Sequence, residues 1–364
     1  MKFYLANDTP WKFHFNNSMP WEFHFGDSMS WGFKLGNAFP EPQPHYDETK
    51  IAVVLLDEYL QETDNVQYFN TLADASTYIS GDGSERYAVS IGKNAGITSI
   101  TNDFKGRAKL SKITIPECVT AIAARAFETC TNLKTVKLKG DSLTEIQANT
   151  FKSCTNLQTI NLPSSVTAIG AFAFYECSAL REITIPSGIS TIETYAFSVS
   201  GLVSLSLNAS DVSIRDLAFQ NCSDLEELSL SGVTSIGEGV FAGCTDLISV
   251  DYDGTEVGRT MFSGCSLLSN VSLGQNVSKI GIDAFSGCAN ISSIDLSYAK
   301  VIMNYAFRNC TGITSVSIGS QIETIANRAF YGCTQSFTIS IDAVTDSVAG
   351  KPWSATNATV IWGS

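Results

Sequence analysis

Hydrophobic positions recur along most of this 364-residue chain at one spacing. An Ala-Phe-like pair returns every 21 to 24 residues, at Phe127, Phe151, Phe174, Phe197, Phe219, Phe241, Phe262, Phe285, Phe307 and Phe330. A period in this range predicts a solenoid. The segment Leu157 to Cys177 (LQTINLPSSVTAIGAFAFYEC) is the clearest copy. Alternation there sends Ile160 and Leu162 inward and Thr159 and Asn161 to water, as in a strand. Pro163 offers no backbone donor and ends that strand. Val166 and Ile169 turn the chain back inward, Gly170 permits a tight bend, and Phe174 fills the space between coils. One unit cannot bury its apolar side, whereas stacked units bury it at roughly 1.5 to 3 kcal/mol per large side chain, before the entropy cost.

The phrase I-T-I-P-x-x-V-T-x-I-x-x-x-A-F-x-x-C-x-x-L resembles the BspA-like class of leucine-rich repeats. Matches run from Ile97 to about Ile341. The first unit is degenerate (Ile97, Ile100, Phe104, Leu110, Ile113, Ile115) and carries Arg107 where the Cys belongs. The resemblance implies a strand-rich α/β leucine-rich-repeat solenoid of about eleven coils. It also implies a surface adhesin or recognition protein, although a scaffold by itself fixes no partner.

A shorter repeat opens the chain as four decads: MKFYLANDTP, WKFHFNNSMP, WEFHFGDSMS and WGFKLGNAFP. Trp11, Phe13, Phe15, Trp21, Phe23, Phe25, Trp31, Phe33 and Leu35 occupy alternate positions ahead of polar turns, which predicts short strands with one aromatic face. So few residues cannot bury that face alone. Two readings stand: a cap folded against the solenoid or itself, or an assembly module that docks on identical chains or on virion proteins. Residues 1–40 are therefore expected to make the protein oligomeric in its assembly. His14 and His24 sit in equivalent slots but offer no complete metal site, and no cofactor is expected.

Residues 41–50, with Pro42 and Pro44, read as a stiff linker. Residues 51–96 read as a small α+β cap: a buried strand Ile51 to Leu56, a helix Thr71 to Ile79 with Leu72, Ala75 and Ile79 inward, a turn Gly81 to Ser84, and a strand Tyr87 to Ile91. Such a unit hides the first coil's open core and edges. The solenoid proper is assigned to 97–341 and a carboxyl-terminal cap to 342–364, where Trp353 and Trp362 are placed to cover the last coil.

Nine of the ten cysteines share one slot of successive coils: Cys130, Cys154, Cys177, Cys222, Cys244, Cys265, Cys288, Cys310 and Cys333. Coils stacked at about 4.8 Å hold parallel Cβ atoms farther apart than a disulfide prefers, so a ladder of buried thiols is expected. Ser200 interrupts the row, and Cys118, in a turn slot, is the expected exposed thiol.

A net charge of −13 argues against nucleic acid as partner. No apolar run reaches the roughly 20 residues that cross a bilayer. Histidines occur only at 14, 24 and 45, so no Ser-His-Asp or Cys-His arrangement can form within the repeats, and no enzyme is expected.

The expected binding surface is one strand per coil, with outward residues Thr135, Lys137, Thr159, Asn161, Glu182, Thr184, Ser204, Glu227, Ser249, Asp251, Asn270, Ser293, Asp295 and Ser315. It would meet a host cell-surface protein or glycan. The carboxyl segment AGKPWSATNATVIW resembles ends of leucine-rich tail-associated proteins of gut bacteriophages. The amino end lacks the apolar run of an export signal. Together these point to a virion component assembled in the cytoplasm, and the alternative is a secreted or cell-surface adhesin that binds host or extracellular-matrix protein.

Overall fold

Three runs of each coil stack on their counterparts, and each run follows from its residues. The computed structural model describes residues 46–342 apart from 82, together with 348 and 357–363. The decads lie outside the described residues, as does Trp353.

The first run is the strand seen in the alternation. In Thr135–Leu138, Ser249–Tyr252, Ser293–Leu296 and Ser315–Ile318 the second and fourth residues are buried. These strands pair in parallel and in register from coil to coil. The second run is a two-residue parallel strand such as Ala168–Ile169 or Thr191–Ile192, whose Ile is buried. In most coils Pro or Gly separates the two runs. Strands Ser204–Ile214 and Glu227–Ile236 lack that Pro, continue through the corner and take part in both runs. The result is a strand-rich solenoid of about 11 turns with almost no helix.

The third run holds the phenylalanines. Eleven rings from Phe104 to Phe330 stack at centroid distances of 5.0 to 5.8 Å and interplanar angles of 3° to 19°. Phe104, from the degenerate unit, is the first member. All eleven are buried and form the axis of the core.

Around each ring from Phe127 to Phe330 the backbone does something that no residue type announced. Two residues before and two after the ladder Phe, φ lies in the left-handed region: Arg125 and Thr129, Phe172 and Glu176, Tyr195 and Val199, Tyr305 and Asn309. These two left-handed residues, four apart, bracket the ladder Phe, and the N–H groups of all three point along the axis. Phe172, Phe174 and Glu176 donate to the carbonyls of Thr194, Ala196 and Ser198 in the next coil, and the pattern repeats along the stack. Left-handed backbone costs a non-glycine residue roughly 1–2 kcal/mol, and burying an unpaired donor costs a comparable 1–3 kcal/mol. The inter-coil bonds therefore hold residues where their side chains disfavour it. Val199, β-branched with φ of 59°, is the most strained choice. Asn221 and Asn309 fill the same slot in other coils. Val199→Asn is expected to stabilise the protein by about 1 kcal/mol, read as a higher urea midpoint, and Asn221→Val to lower it. Equal midpoints for both would show that the strain is absent.

The segment before the repeats shows the expected strand Ile51–Leu56, a helix Leu72–Tyr78 capped by the Thr71 side chain, with Leu72, Ala75 and Ile79 buried, and a strand Arg86–Ile91. Sequence reading missed one strand, Glu62–Phe69, because its residues carry no apolar alternation. It pairs antiparallel with Ile51–Leu56, which pairs with Arg86–Ile91, and the latter continues in parallel into Leu110–Ile115. The cap and the first coils thus share one sheet. At the other end Phe337–Ile341 pairs in parallel with Ala358–Trp362. Trp362 is half-buried and packs against the core.

Candidate binding face of the repeats

The expected strip forms only in part. The first-run strands do not make one continuous sheet, because residues 181–186 carry no strand and the pairing resumes at Ser204. Glu182 and Thr184 are exposed but belong to no strand, which corrects their assignment. A second break falls between Asn270–Leu273 and Ser293–Leu296. Asn161 is also tied up: its amide donates to Leu138 O at 3.0 Å and its carbonyl accepts from Leu138 N, so it replaces a ladder pair rather than facing a partner. Asp295 accepts from Ser297 N at 2.9 Å and shapes its own turn. Thr135 and Ser249 are half-buried.

What remains coherent is the central sheet. Ser204, Glu227, Ser249 and Asn270 lie side by side in register, and beside them run Ser206, Ser229, Asp251 and Ser272. Among the described residues none of these eight side chains makes a hydrogen bond or ion pair within the chain. Hydroxyls on the corners behave differently: Ser190, Thr167, Ser278 and Thr314 all donate to a carbonyl of the preceding coil. The contrast separates hydroxyls that hold coils together from those that face outward with open valence. Lys137, Thr159, Ser293 and Ser315 extend the same surface on the flanking sheets.

Charged residues on the coils are partly used within the chain. Lys112 Nζ donates to Leu60 O in the cap at 2.7 Å, and Glu256 pairs with Lys279 at 2.8 Å. Lys137, Asp251 and Asp253 stay exposed without such partners.

The cysteine slot carries a role beyond size. Each of the nine thiols donates to the carbonyl of the preceding coil's ladder phenylalanine, from Cys130 to Phe104 O at 2.9 Å through Cys333 to Phe307 O at 3.2 Å. The same carbonyl accepts the backbone N–H of its own coil's slot residue, as Phe127 O does from Cys130 N at 3.1 Å, so both lone pairs are used. All ten cysteines are free thiols, and Cys118 is the one that is not fully buried. Burial pushes Cys130 and Cys265 up to about 12 and Cys333 up to about 11. It moves Cys154, Cys177, Cys244, Cys288 and Cys310 the same way.

The turn edge holds a feature that the strand alternation could not reveal. Phe172 and Tyr195 stack at 4.9 Å, with Lys152 Nζ 5.3 Å from the Phe172 ring. Farther along, Arg308 and Arg328 lie over Tyr305 at 5.3 and 5.9 Å. The signal was there as large residues two positions ahead of the ladder Phe. In the Phe172–Tyr195 pair the rings cover one another between successive coils.

Among the described residues no group of three His, Cys, Asp or Glu side chains gathers to hold a metal, and no helix is long and apolar enough to cross a membrane. A comparison with curated protein sequences finds no match. Among solved structures, a leucine-rich repeat protein from Bacteroides ovatus is similar at 23% identity, over 78% of this chain and 89% of that one, with a TM-score of 0.45. A leucine-rich cell surface protein from Faecalibacterium prausnitzii is similar at 21% identity, over 76% and 96%, with a TM-score of 0.38. The pneumococcal vaccine antigen PcpA is similar at 18% identity, over 70% and 80%, also at 0.38. The expected kinship with phage tail-associated proteins is not shown by these matches. The model of the BspA-type leucine-rich repeat region matches in six copies, over residues 98–226, 144–255 and 234–351. With about two thirds of its length so matched, the chain belongs to the BspA-type leucine-rich repeat family.

Proposed function

We propose that this protein is a non-catalytic binding protein of the cell surface that presents the central strand face to an extracellular protein. The observation that carries the reading is the row Ser204, Ser206, Glu227, Ser229, Asp251, Asn270 and Ser272, whose polar side chains lack partners within the chain although hydroxyls elsewhere are used to join coils. A flat polar surface of this kind suits many modest hydrogen bonds to a protein surface, strengthened when several copies act together. Family membership favours the adhesin reading over the virion one, because leucine-rich repeat proteins generally mediate protein–protein contacts. Residues 1–40, with Trp11, Phe13, Phe15, Trp21, Phe23, Phe25, Trp31, Phe33 and Leu35, are proposed as a separate assembly element on their period-two aromatic pattern.

The test uses immobilised fibronectin and collagen as probes. Saturable binding by the full chain is expected, weakened by about tenfold or more in Ser206→Arg with Ser229→Arg, where two long charged side chains stand in the centre of the face. Ser266→Arg, outside the strand face, is expected to bind as wild type. Equal loss in both variants, or binding that never saturates, would remove the strand face from the reading.

A further inference from the structure

Two arginines reach Tyr305 on the turn edge, and they are used differently. Arg308 pairs with Asp283 at 3.2 Å and donates to Ser286 Oγ at 3.1 Å, so its charge is spent within the chain. Arg328, one coil later, donates through Nη1 to the Tyr305 hydroxyl at 2.6 Å and meets no carboxylate among the described residues. A guanidinium carries five N–H donors, and most of those of exposed Arg328 are left for a partner. Residues 300–341 carry Lys300, Arg308 and Arg328 against Glu323 alone, so in a chain of net charge −13 an anion meets little repulsion here. Beside this cation stand an open ring and an open amide. Tyr331 packs edge-on against Tyr305 at 6.2 Å and 87° and is still 51% exposed. Asn309 is exposed, and among the described residues its amide makes no hydrogen bond. Its side chain lies over Gly332, where an added Cβ would collide with Asn309 Oδ1. The backbone beneath is fixed, since Phe307 N donates to Ala329 O and Asn309 N to Tyr331 O, both at 2.8 Å.

We propose that Arg328, Tyr331 and Asn309 form a binding site for a carboxyl-bearing sugar, a uronic or sialic acid residue of a glycan. The guanidinium takes the carboxylate through Nε and Nη2, in the planar fork that suits such a group. The Tyr331 ring packs on the apolar face of the sugar, and the Asn309 amide donates to one of its hydroxyls. A sugar fits better than an acidic peptide because its carboxyl and its flat face belong to one rigid ring. An aspartate or glutamate side chain brings the charge without the face. Fixed backbone under the site keeps the ordering cost of binding small. The proposal does not rest on the strand-face reading, because these residues belong to the turn run of the coil.

Isothermal titration of the full chain with trigalacturonic acid and with sialyllactose is expected to give a Kd of about millimolar or tighter for at least one of them. Lactose and a hexaglutamate peptide are expected to bind at least about tenfold more weakly. Binding of trigalacturonic acid alone assigns the site to polyuronides, and of sialyllactose alone to sialylated glycans. Arg328→Gln and Tyr331→Ala are each expected to weaken binding by about tenfold or more while the far-UV circular dichroism melt stays as in wild type. Asn309→Asp keeps the side-chain shape and suits left-handed backbone, so it folds as wild type, and its negative charge beside the guanidinium is expected to weaken binding as much. Arg215→Gln, on an earlier coil, is expected to bind as wild type. The proposal is overturned if neither acidic sugar binds, if lactose or the peptide binds as tightly, if any of the three site variants keeps the wild-type affinity, or if Arg215→Gln loses as much as they do.

Discussion

Raised from pH 8 to pH 10 in reducing buffer, the protein is expected to unfold at room temperature. Eight thiols of the ladder are held neutral by burial, with folded values raised, to about 11 at the lowest, Cys333. An unfolded thiol titrates near 8.5. The folded state thus keeps protons that the unfolded state gives up between roughly pH 8.5 and 11, and stability falls with rising pH across that window. Below it the contribution of the neutral thiols is complete. Each thiol contributes a slope of about 1.4 kcal/mol per pH unit, so eight approach about 11 kcal/mol per unit, against a total stability of the order of 5–15 kcal/mol. Circular dichroism melts at intervals from pH 7 to 10.5 should show a flat midpoint to about pH 8 and a steep decline above 9. A native spectrum at pH 10.5 would mean that the thiols are not buried as a ladder.

Phe219→Ala is expected to cost about 3–5 kcal/mol and to split the unfolding transition. The ring is fully buried and stacks on Phe197 at 5.1 Å and on Phe241 at 5.3 Å. Its removal leaves a void on the axis and deletes two stacking contacts, each worth about 0.5–1.5 kcal/mol beyond area. Phe104→Ala, at the first rung, deletes only the contact to Phe127 at 5.8 Å and is expected to cost less. Because each coil contacts only its neighbours, a lesion in the middle uncouples the coils before it from those after it. Urea unfolding should therefore turn biphasic for Phe219→Ala and stay single for Phe104→Ala. Identical single transitions for both would contradict an axis that transmits cooperativity through the rings.

The period of the phenylalanines carried the architecture, because a ring that stacks on its own kind must recur once per coil. That logic reached even the degenerate unit, where Phe104 joins the ladder although Arg107 has displaced the cysteine. The helix was legible for an equally local reason: Thr71 accepts from Asp74 N and Leu72, Ala75 and Ile79 share a face. Strand continuity was not legible. Arg181-Glu182-Ile183-Thr184-Ile185 alternates as well as Ser204-Leu205-Ser206-Leu207 does, yet a ladder needs neighbours aligned on both sides, and alternation within one coil carries no information about that. The left-handed turn was hidden for a different reason. Arg125, Asn149, Phe172, Leu217 and Arg328 adopt it without glycine, since bonds between coils impose the conformation. Of the candidate binding face, the outward polar row was readable, but which hydroxyls face outward without partners and which join coils depended on three-dimensional position.

The turn ladder has an electrostatic consequence. In parallel strands successive peptide groups point to opposite sides and their moments cancel. At the turns, the peptide joining Ala173 to Phe174 accepts from Phe151 on one side and donates to Ala196 on the other, and its counterparts in other coils do likewise. Three columns of peptides therefore run head to tail along the stack, as the bonded columns of an α-helix do. Their N–H groups all point toward the carboxyl-terminal coils, so the solenoid is an axial dipole with its positive pole at that end, superimposed on a chain that is acidic as a whole.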